Sequence, residues 1–233
     1  NSGWVTSPGR ECAIRFSRGE ASPEEAERLR GYVQRTMGRF RDDPRVLMWE
    51  LYNEPGRGAG TGSDSHGDLA NGDFGDGSCQ LVHQSWVWAR EVAPSQPICS
   101  TTDGCVGSAN WSINALNSDV QSIHSYGPAA SVRNQIEGWR QDNRPLFMTE
   151  YLARGAGSTF QAVMPVLKEQ GVAAINWGFV SGKSGTIWPW SSRNRDGVYQ
   201  DSMDLRAKGN VLAEGEPYPE PDVWFHDVLR EDG

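Results

Sequence analysis

Short apolar runs alternate with segments of helical period along most of this 233-residue chain. An apolar run bounded by Pro or Gly predicts a strand that is buried on both faces, and we expect strands at 46–52, 97–102, 120–126, 145–150 and 172–177. Apolar residues spaced by three and four predict helices at 79–93, 109–117, 129–141 and 159–170, the last interrupted by Pro165. Strand–helix alternation with short connections predicts right-handed crossovers and a parallel sheet.

The start of the chain combines an irregular segment with a clear helix signal. The first 21 residues show no sustained period and are predicted to form a loop. Ser22 is expected to cap the helix that follows, with Pro23 at its first position and Glu25 closing a capping box. The residues Asp42-Asp43-Pro44 should end this helix. At the other end of the chain, 178–221 gives no ordered prediction, and a final helical turn is predicted at 221–229.

Composition narrows the possible functions. The net charge of −8 and the pI near 5.0 argue against a nucleic-acid partner, which would require a basic patch. No run of 18 apolar residues is present, so no membrane span is predicted. Four cysteines without CxxC spacing make a zinc site unexpected. Cys99 and Cys105 could pair across a loop, although free thiols are the favoured interpretation. The length suits a single domain over 1–233.

Two glutamates lie where apolar runs end. Glu54 follows the run that starts at Val46, and Glu150 ends the run that starts at Pro145. In folds with buried parallel strands, the C-terminal strand ends are where the chemistry is kept. Because a buried, unpaired carboxylate is costly, two of them at equivalent strand ends indicate acid/base and nucleophilic work on one substrate.

Four short motifs occur in order on consecutive predicted strands. They are Asn53-Glu54-Pro55, His124-Ser125-Tyr126, Thr149-Glu150-Tyr151 and Asn176-Trp177-Gly178. This set resembles the cellulase-like glycoside hydrolases grouped around family 5, which carry the acid/base on strand four and the nucleophile on strand seven. The resemblance runs from about Asp42 to the C-terminus. It implies an α/β fold of the (β/α)8 TIM-barrel type.

The resemblance also implies a role for each matching residue. Glu54 would be the general acid/base and Glu150 the nucleophile of a retaining β-glycoside hydrolase that acts on β-linked poly- or oligosaccharides. The residues expected to bind substrate are Asn53, His124, Tyr126, Trp177, Trp188 and Trp190. Of these, His124 and Tyr126 would line the site and hold Glu150. No metal or cofactor is implied, and the expected partner is a carbohydrate.

The chain also departs from the family pattern. If the strand ending at Glu54 is the fourth, three strands should precede Ser22, where only a loop is predicted. The expected fold is therefore a partial barrel of about five β/α units, strands four to eight, truncated at its N-terminus. We expect three more such units upstream, and a secreted or periplasmic location is compatible with this interpretation.

Several alternatives remain open. The chain could be an inactive remnant that still binds carbohydrate, or an open α/β hydrolase of unrelated chemistry in which Glu54 and Glu150 lie far apart. Glu50 is interpreted as a buried structural acid paired with an arginine. The aspartates at 64, 68, 73 and 76 miss the spacing of a calcium loop and are predicted to be solvated.

Overall fold

The computed structural model describes residues 10–56, 76–103, 107–153 and 156–177. The chain forms two compact units. Among the described residues, the first unit comprises 10–56, 76–103, 107–124 and 142–147. The second unit comprises 125–141, 148–153 and 156–177. The predicted final turn and the loop acids at 64, 68 and 73 lie outside these residues.

Six α-helices and five short strands alternate in the described part of the chain. The helices are α1 (Arg10–Ser17), α2 (Pro23–Phe40), α3 (Cys79–Val92), α4 (Ser108–Asn117), α5 (Ala129–Trp139) and α6 (Phe160–Glu169). The strands are β1 (Trp49–Glu50), β2 (Ile98–Cys99), β3 (Gln121–His124), β4 (Leu146–Glu150) and β5 (Ala173–Ala174). All five predicted strands are therefore present, although each is shorter than its apolar run.

The strands pair in chain order. β1 lies parallel to β2, with Trp49 opposite Ile98, and the remaining three form a sheet in the order β3-β4-β5. A parallel bridge between Thr101 and Ser122 connects the segment after β2 to β3. Neighbours that follow the chain order through intervening helices are the expected result of repeated β/α crossovers. The prediction of an α/β fold with parallel strands is confirmed.

The expectation of a loop over the first 21 residues is wrong, because α1 occupies Arg10–Ser17. Cys12 and Ala13 are buried in a cluster with Leu29 of α2 and Trp88 of α3. A helix of eight residues has little stability by itself, so tertiary packing decides whether it forms. A short sequence window does not reveal such packing.

The start of α2 follows its sequence signal at Ser22 and Pro23 but not at Glu25. The Ser22 hydroxyl accepts a hydrogen bond from the Glu25 backbone N–H at 3.1 Å, and Pro23 occupies the first helical position. The Glu25 carboxylate accepts a hydrogen bond from the Arg15 guanidinium at 2.5 Å and not from the Ser22 backbone N–H, so the prediction that Glu25 closes a capping box is wrong. This ion pair joins α1 to the first turn of α2 and contributes to a lowered pKa of Glu25, together with the Cys12 thiol.

The strands differ in burial. All four residues of β3 are buried, as predicted, but the segment that contains β1 is not. Leu47 is 66% exposed, and Glu50 is also exposed. Ala174 and Ile175, in the segment of β5, are exposed as well. An apolar run marks a strand without showing how many of its faces are covered, so the prediction of full burial is wrong for these two segments.

Two further expectations concern helix continuity and membrane spans. Helix α6 continues through Pro165, so the predicted interruption is wrong. The proline removes one backbone donor, but Val163, Val166 and Leu167 bury a continuous apolar face around it.

None of the helices in the described ranges has the length and apolar character that crossing a membrane requires.

Candidate active site

Glu54 follows an extended segment whose hydrogen bonds to the neighbouring segment begin before β1 ends and continue beyond it. The backbone N–H of Trp49 donates to the carbonyl oxygen of Pro97 at 2.9 Å, and that of Leu51 donates to the carbonyl oxygen of Cys99 at 3.0 Å. The Ser100 hydroxyl then donates to Tyr52 O at 2.9 Å. The extended segment therefore stays in register with its neighbour up to the residue before Asn53.

The backbone turns sharply at Glu54, which has a φ of 42°. This left-handed conformation is uncommon for a residue with a Cβ and costs about 1 kcal/mol or more. Gly56, two residues later, also has a positive φ of 84°. Residues held in such conformations cluster at functional sites, so the turn is consistent with a selected orientation of the Glu54 side chain.

The Glu54 carboxylate is paired with His124, the last residue of β3. The Nδ1 atom of His124 lies 2.8 Å from Oε1 of Glu54. The side chain of His124 is only 3% exposed, and that of Glu54 is 19% exposed. An imidazole in this position can donate to the carboxylate, or accept from the protonated acid, depending on the tautomer. The pair can therefore hold the acid in either of its protonation states.

Glu50 has different partners from those predicted. Its Oε1 accepts hydrogen bonds from the Thr101 hydroxyl at 2.9 Å and from the Ser122 hydroxyl. No arginine pairs with it among the residues that the structure describes, so the expectation of a buried Arg–Glu pair is wrong. Burial raises the pKa of the nearby Cys99 thiol, and the charges of Glu50 and Asp119 add to this effect. Cys99, like Cys12 and Cys79, is a free thiol.

In the second unit, Glu150 ends β4 and is 8% exposed. The Tyr126 hydroxyl donates to its Oε2 at 2.5 Å. The backbones of the two residues' segments are joined as well, because the backbone N–H of Ser125 donates to the carbonyl oxygen of Glu150 at 3.0 Å. A carboxylate that accepts a short hydrogen bond from a phenol is stabilised in its ionised form.

The residues after Glu150 are also constrained. Burial raises the pKa of Tyr151 to about 12, so this phenol stays protonated at neutral pH. Leu152, which is 1% exposed, has a φ of 92°. The two candidate carboxylates thus share a local feature: Glu54 itself, and the second residue after Glu150, have a backbone conformation that L-amino acids rarely adopt.

Trp177 follows β5 and is half-buried. The backbone N–H of Trp177 donates to the carbonyl oxygen of Tyr151 at 2.9 Å. The backbone N–H of Ile175 donates to the carbonyl oxygen of Met148 at 2.8 Å. These bonds place Trp177 at the C-terminal end of β5, level with the residue after Glu150. Asn53, by contrast, is exposed in the first unit. Trp188 and Trp190 lie outside the described residues.

Sequence reasoning missed two polar residues of the first unit and was wrong about a third, because Asp76 was predicted to be solvated but is half-buried. Thr101 and Ser122 bind Glu50, and Asp76 caps α4 by accepting from the Ala109 N–H at 2.9 Å and the Asn110 N–H at 3.2 Å. Ser122 precedes His124 by two residues, so the alternation of a strand would have placed both on one face. Asp76 gave no such signal, because its partners lie 33 and 34 positions away.

No protein-family model and no curated protein match the chain. Two solved structures are similar to it over 83% of its length, each at 16% identity. One is the hyperthermostable endo-1,4-beta-D-mannanase of Thermotoga petrophila RKU-1, with a TM-score of 0.51, and the other is the endo-beta-1,4-mannanase of Thermotoga petrophila, with a TM-score of 0.52. The chain covers 65% of the first structure and 50% of the second. At this identity, the likeness shows that the chain shares the α/β fold of these mannanases.

Proposed function

We propose that this chain is part of a retaining β-glycoside hydrolase that cleaves β-linked polysaccharides, with β-mannan as the first substrate to test. The fold is shared with two mannanases over 83% of the chain. Because the chain spans 65% and 50% of those structures, the activity of the whole protein is part of the proposal.

One observation carries this proposal. Two glutamates at the ends of parallel strands are each held by a polar side chain, Glu54 by His124 and Glu150 by Tyr126. The two holding residues are two positions apart in the sequence. We propose that the two carboxylates act together on one substrate. A catalytic pair is the arrangement that β-glycoside hydrolysis requires.

The proposed reaction proceeds in two displacements. Glu150 attacks the anomeric carbon while Glu54 donates its proton to the leaving glycosidic oxygen, which breaks the bond and forms a covalent glycosyl–enzyme ester. Glu54, now ionised, takes a proton from water, and the resulting hydroxide equivalent attacks the anomeric carbon and releases Glu150. Both steps invert the anomeric centre, so the product keeps the β configuration.

The hydrogen-bond partners of the two glutamates suit their different roles in this reaction. His124 can stabilise Glu54 both as an acid and as a base, which the two displacements require in turn. The Tyr126 phenol favours the ionised form of Glu150, which is the nucleophilic form. We further propose that Asn53 binds the sugar 2-hydroxyl and that Trp177, Trp188 and Trp190 stack on sugar faces.

The decisive experiment measures hydrolysis of β-mannan and of an aryl β-glycoside by the wild-type chain and by Glu150→Gln. We expect the variant to lose activity while it retains binding to the oligosaccharide. Glu169→Gln is the matched control, since this glutamate has a side chain that is 61% exposed and pairs with Arg133. The anomer that is released first, followed by NMR, should be β.

Three outcomes would oppose the proposal. Release of the α anomer would exclude the retaining mechanism, and an active Glu150→Gln variant would exclude its nucleophile. Binding of the sugar by a wild-type chain that does not turn it over would instead identify a carbohydrate-binding remnant.

A further inference from the structure

Glu50 and Glu54 belong to the same segment of the first unit, and each is bonded to β3 by a side chain. Ser122 bonds Glu50, and His124 bonds Glu54. The segment that contains β1 is not a neighbour of β3, because β2 and the residues after it lie between them. These two side-chain contacts therefore cross over an intervening strand.

The geometry of β3 couples the two contacts. Ser122 and His124 are two residues apart on a strand, so their side chains project from the same face. A shift of β3 relative to the first strand would displace both side chains together. The hydrogen bond to Glu50 thereby limits the positions that the His124 imidazole can take against Glu54.

The donors to Glu50 lie on two different segments. Thr101 and Ser122 both donate to Oε1, and their own backbones are joined by the parallel bridge. Hydrogen bonds to an ionised acceptor are about twice as strong as those between neutral groups. One carboxylate oxygen of Glu50 thus connects its own segment to the segment after β2 and to β3.

We propose that Glu50 is a positioning residue for the acid/base: through Ser122 it fixes β3 so that His124 meets Glu54. This inference rests on the proposed function of Glu54, but the contact that it concerns can be measured without any activity. It assigns a role to an exposed acid that the four sequence motifs do not include.

The test compares variants that remove the two contacts of Glu50 separately, together or not at all. Ser122→Ala removes the contact to the strand of His124, and Thr101→Val removes only the contact to the segment after β2. Glu50→Leu removes both, whereas Glu50→Gln keeps an oxygen acceptor in the same place. We expect kcat to fall about ten- to a hundredfold in Ser122→Ala and Glu50→Leu, with KM little changed. Glu50→Gln should recover most of the rate, and Thr101→Val should retain it.

A second readout is independent of turnover. The nitrogen chemical shifts of the His124 imidazole report its tautomer and the hydrogen bond at Nδ1, and a His124→Asn variant assigns its signals among the four histidines of the chain. We expect these shifts to change in Ser122→Ala and Glu50→Leu and to stay as in the wild type in Thr101→Val. Thermal unfolding of each variant confirms that it is folded at the temperature of measurement.

The two proposals can then fail separately. A chain without hydrolytic activity whose His124 shifts follow the expected pattern would overturn the proposed function and support the positioning role. An active chain whose kcat and His124 shifts do not respond to Ser122→Ala or to Glu50→Leu would overturn the positioning role. An equal response to Thr101→Val would also overturn it, because that result indicates a general loss of packing.

Discussion

The acids at the two ends of the strands have different partners. At the N-terminal ends of β1, β3 and β4, the acids pair with arginines. These pairs are Asp43–Arg45, Asp119–Arg90 and Asp142–Arg144. At the C-terminal ends, the imidazole of His124 is hydrogen-bonded to Glu54 and the phenol of Tyr126 is hydrogen-bonded to Glu150.

The contrast separates structural acids from candidate catalytic ones. A guanidinium cancels the charge of a carboxylate and lowers its pKa, as it does for Asp142. A carboxylate that is held by an imidazole or a hydroxyl keeps its capacity to exchange a proton or to attack a carbon. In β/α barrels the C-terminal strand ends carry the chemistry, whereas the opposite ends serve stability.

The largest effect should come from removing the nucleophile. In Glu150→Gly we expect hydrolysis of an activated aryl β-glycoside to fall by about 10⁴-fold or more, because the covalent step is lost. Added azide should restore turnover by occupying the space of the carboxylate, and it should yield the α-glycosyl azide. Formation of the β-azide would assign the nucleophile to a different residue.

Removal of the acid/base should give a smaller and substrate-dependent effect. In Glu54→Ala we expect a loss of about 10²–10⁴-fold on substrates with a poor leaving group and much less on a dinitrophenyl glycoside, which leaves without protonation. Azide should here attack the glycosyl–enzyme ester and give the β-glycosyl azide. An equal loss on both substrates would contradict the acid/base role.

The Tyr126→Phe variant examines the phenol on Glu150. Loss of a hydrogen bond to a charged group, worth about 1.5–3 kcal/mol, should lower kcat by about ten- to a hundredfold. The Tyr32→Phe variant is the control, since Tyr32 is 65% exposed on α2. Steady-state kinetics on the aryl glycoside measures both, and an unchanged kcat in Tyr126→Phe would show that the phenol is dispensable.

The smallest effect is expected at the opposite end of the strands. Burial opposes the charge on Asp119, but hydrogen bonds from Arg90 and from the Ile98 N–H outweigh it and lower the pKa of this carboxyl. Asp119→Asn should reduce the free energy of unfolding at pH 7 by about 1 kcal/mol, a value kept low because the side chain is 41% exposed.

The pH dependence of this effect has a definite sign. Because the folded-state pKa of Asp119 lies below its usual value of 3.8, the stabilisation is present above about pH 4. It should disappear as the pH falls through the lowered pKa, so the difference between wild type and variant should shrink there. Asp42→Asn, at a side chain that is 72% exposed, is the control. Urea unfolding across pH 3 to 7 is the measurement, and a difference that grows on acidification would be the opposite result.

The sequence predicted the order of elements better than their environment. Capping by Ser22 and the spacing of apolar residues depend on near neighbours, which a short window contains. Helix α1 depends on contacts of Cys12 and Ala13 with residues of α2 and α3, which no window contains. The same limit explains why an arginine was expected at Glu50, where hydroxyls from distant segments bind instead.

For the candidate site, the sequence indicated the residues but not their pairing. The motif that contains His124 and Tyr126 was expected to hold Glu150, and Tyr126 does contact it. The partner of His124 in the first unit is Glu54, which is 70 positions earlier in the chain. Pairings of this kind follow from strand register, which the order of motifs does not specify.

Asp76 and Gly77 form a turn that is bonded to two helices distant from each other in the sequence. Its carboxylate accepts from two N–H groups at the start of α4, and the Ser17 hydroxyl bonds the neighbouring Gly77 carbonyl. The turn at 76–77 therefore holds the end of α1 and the start of α4 at once, so a change in this turn would disturb both helices.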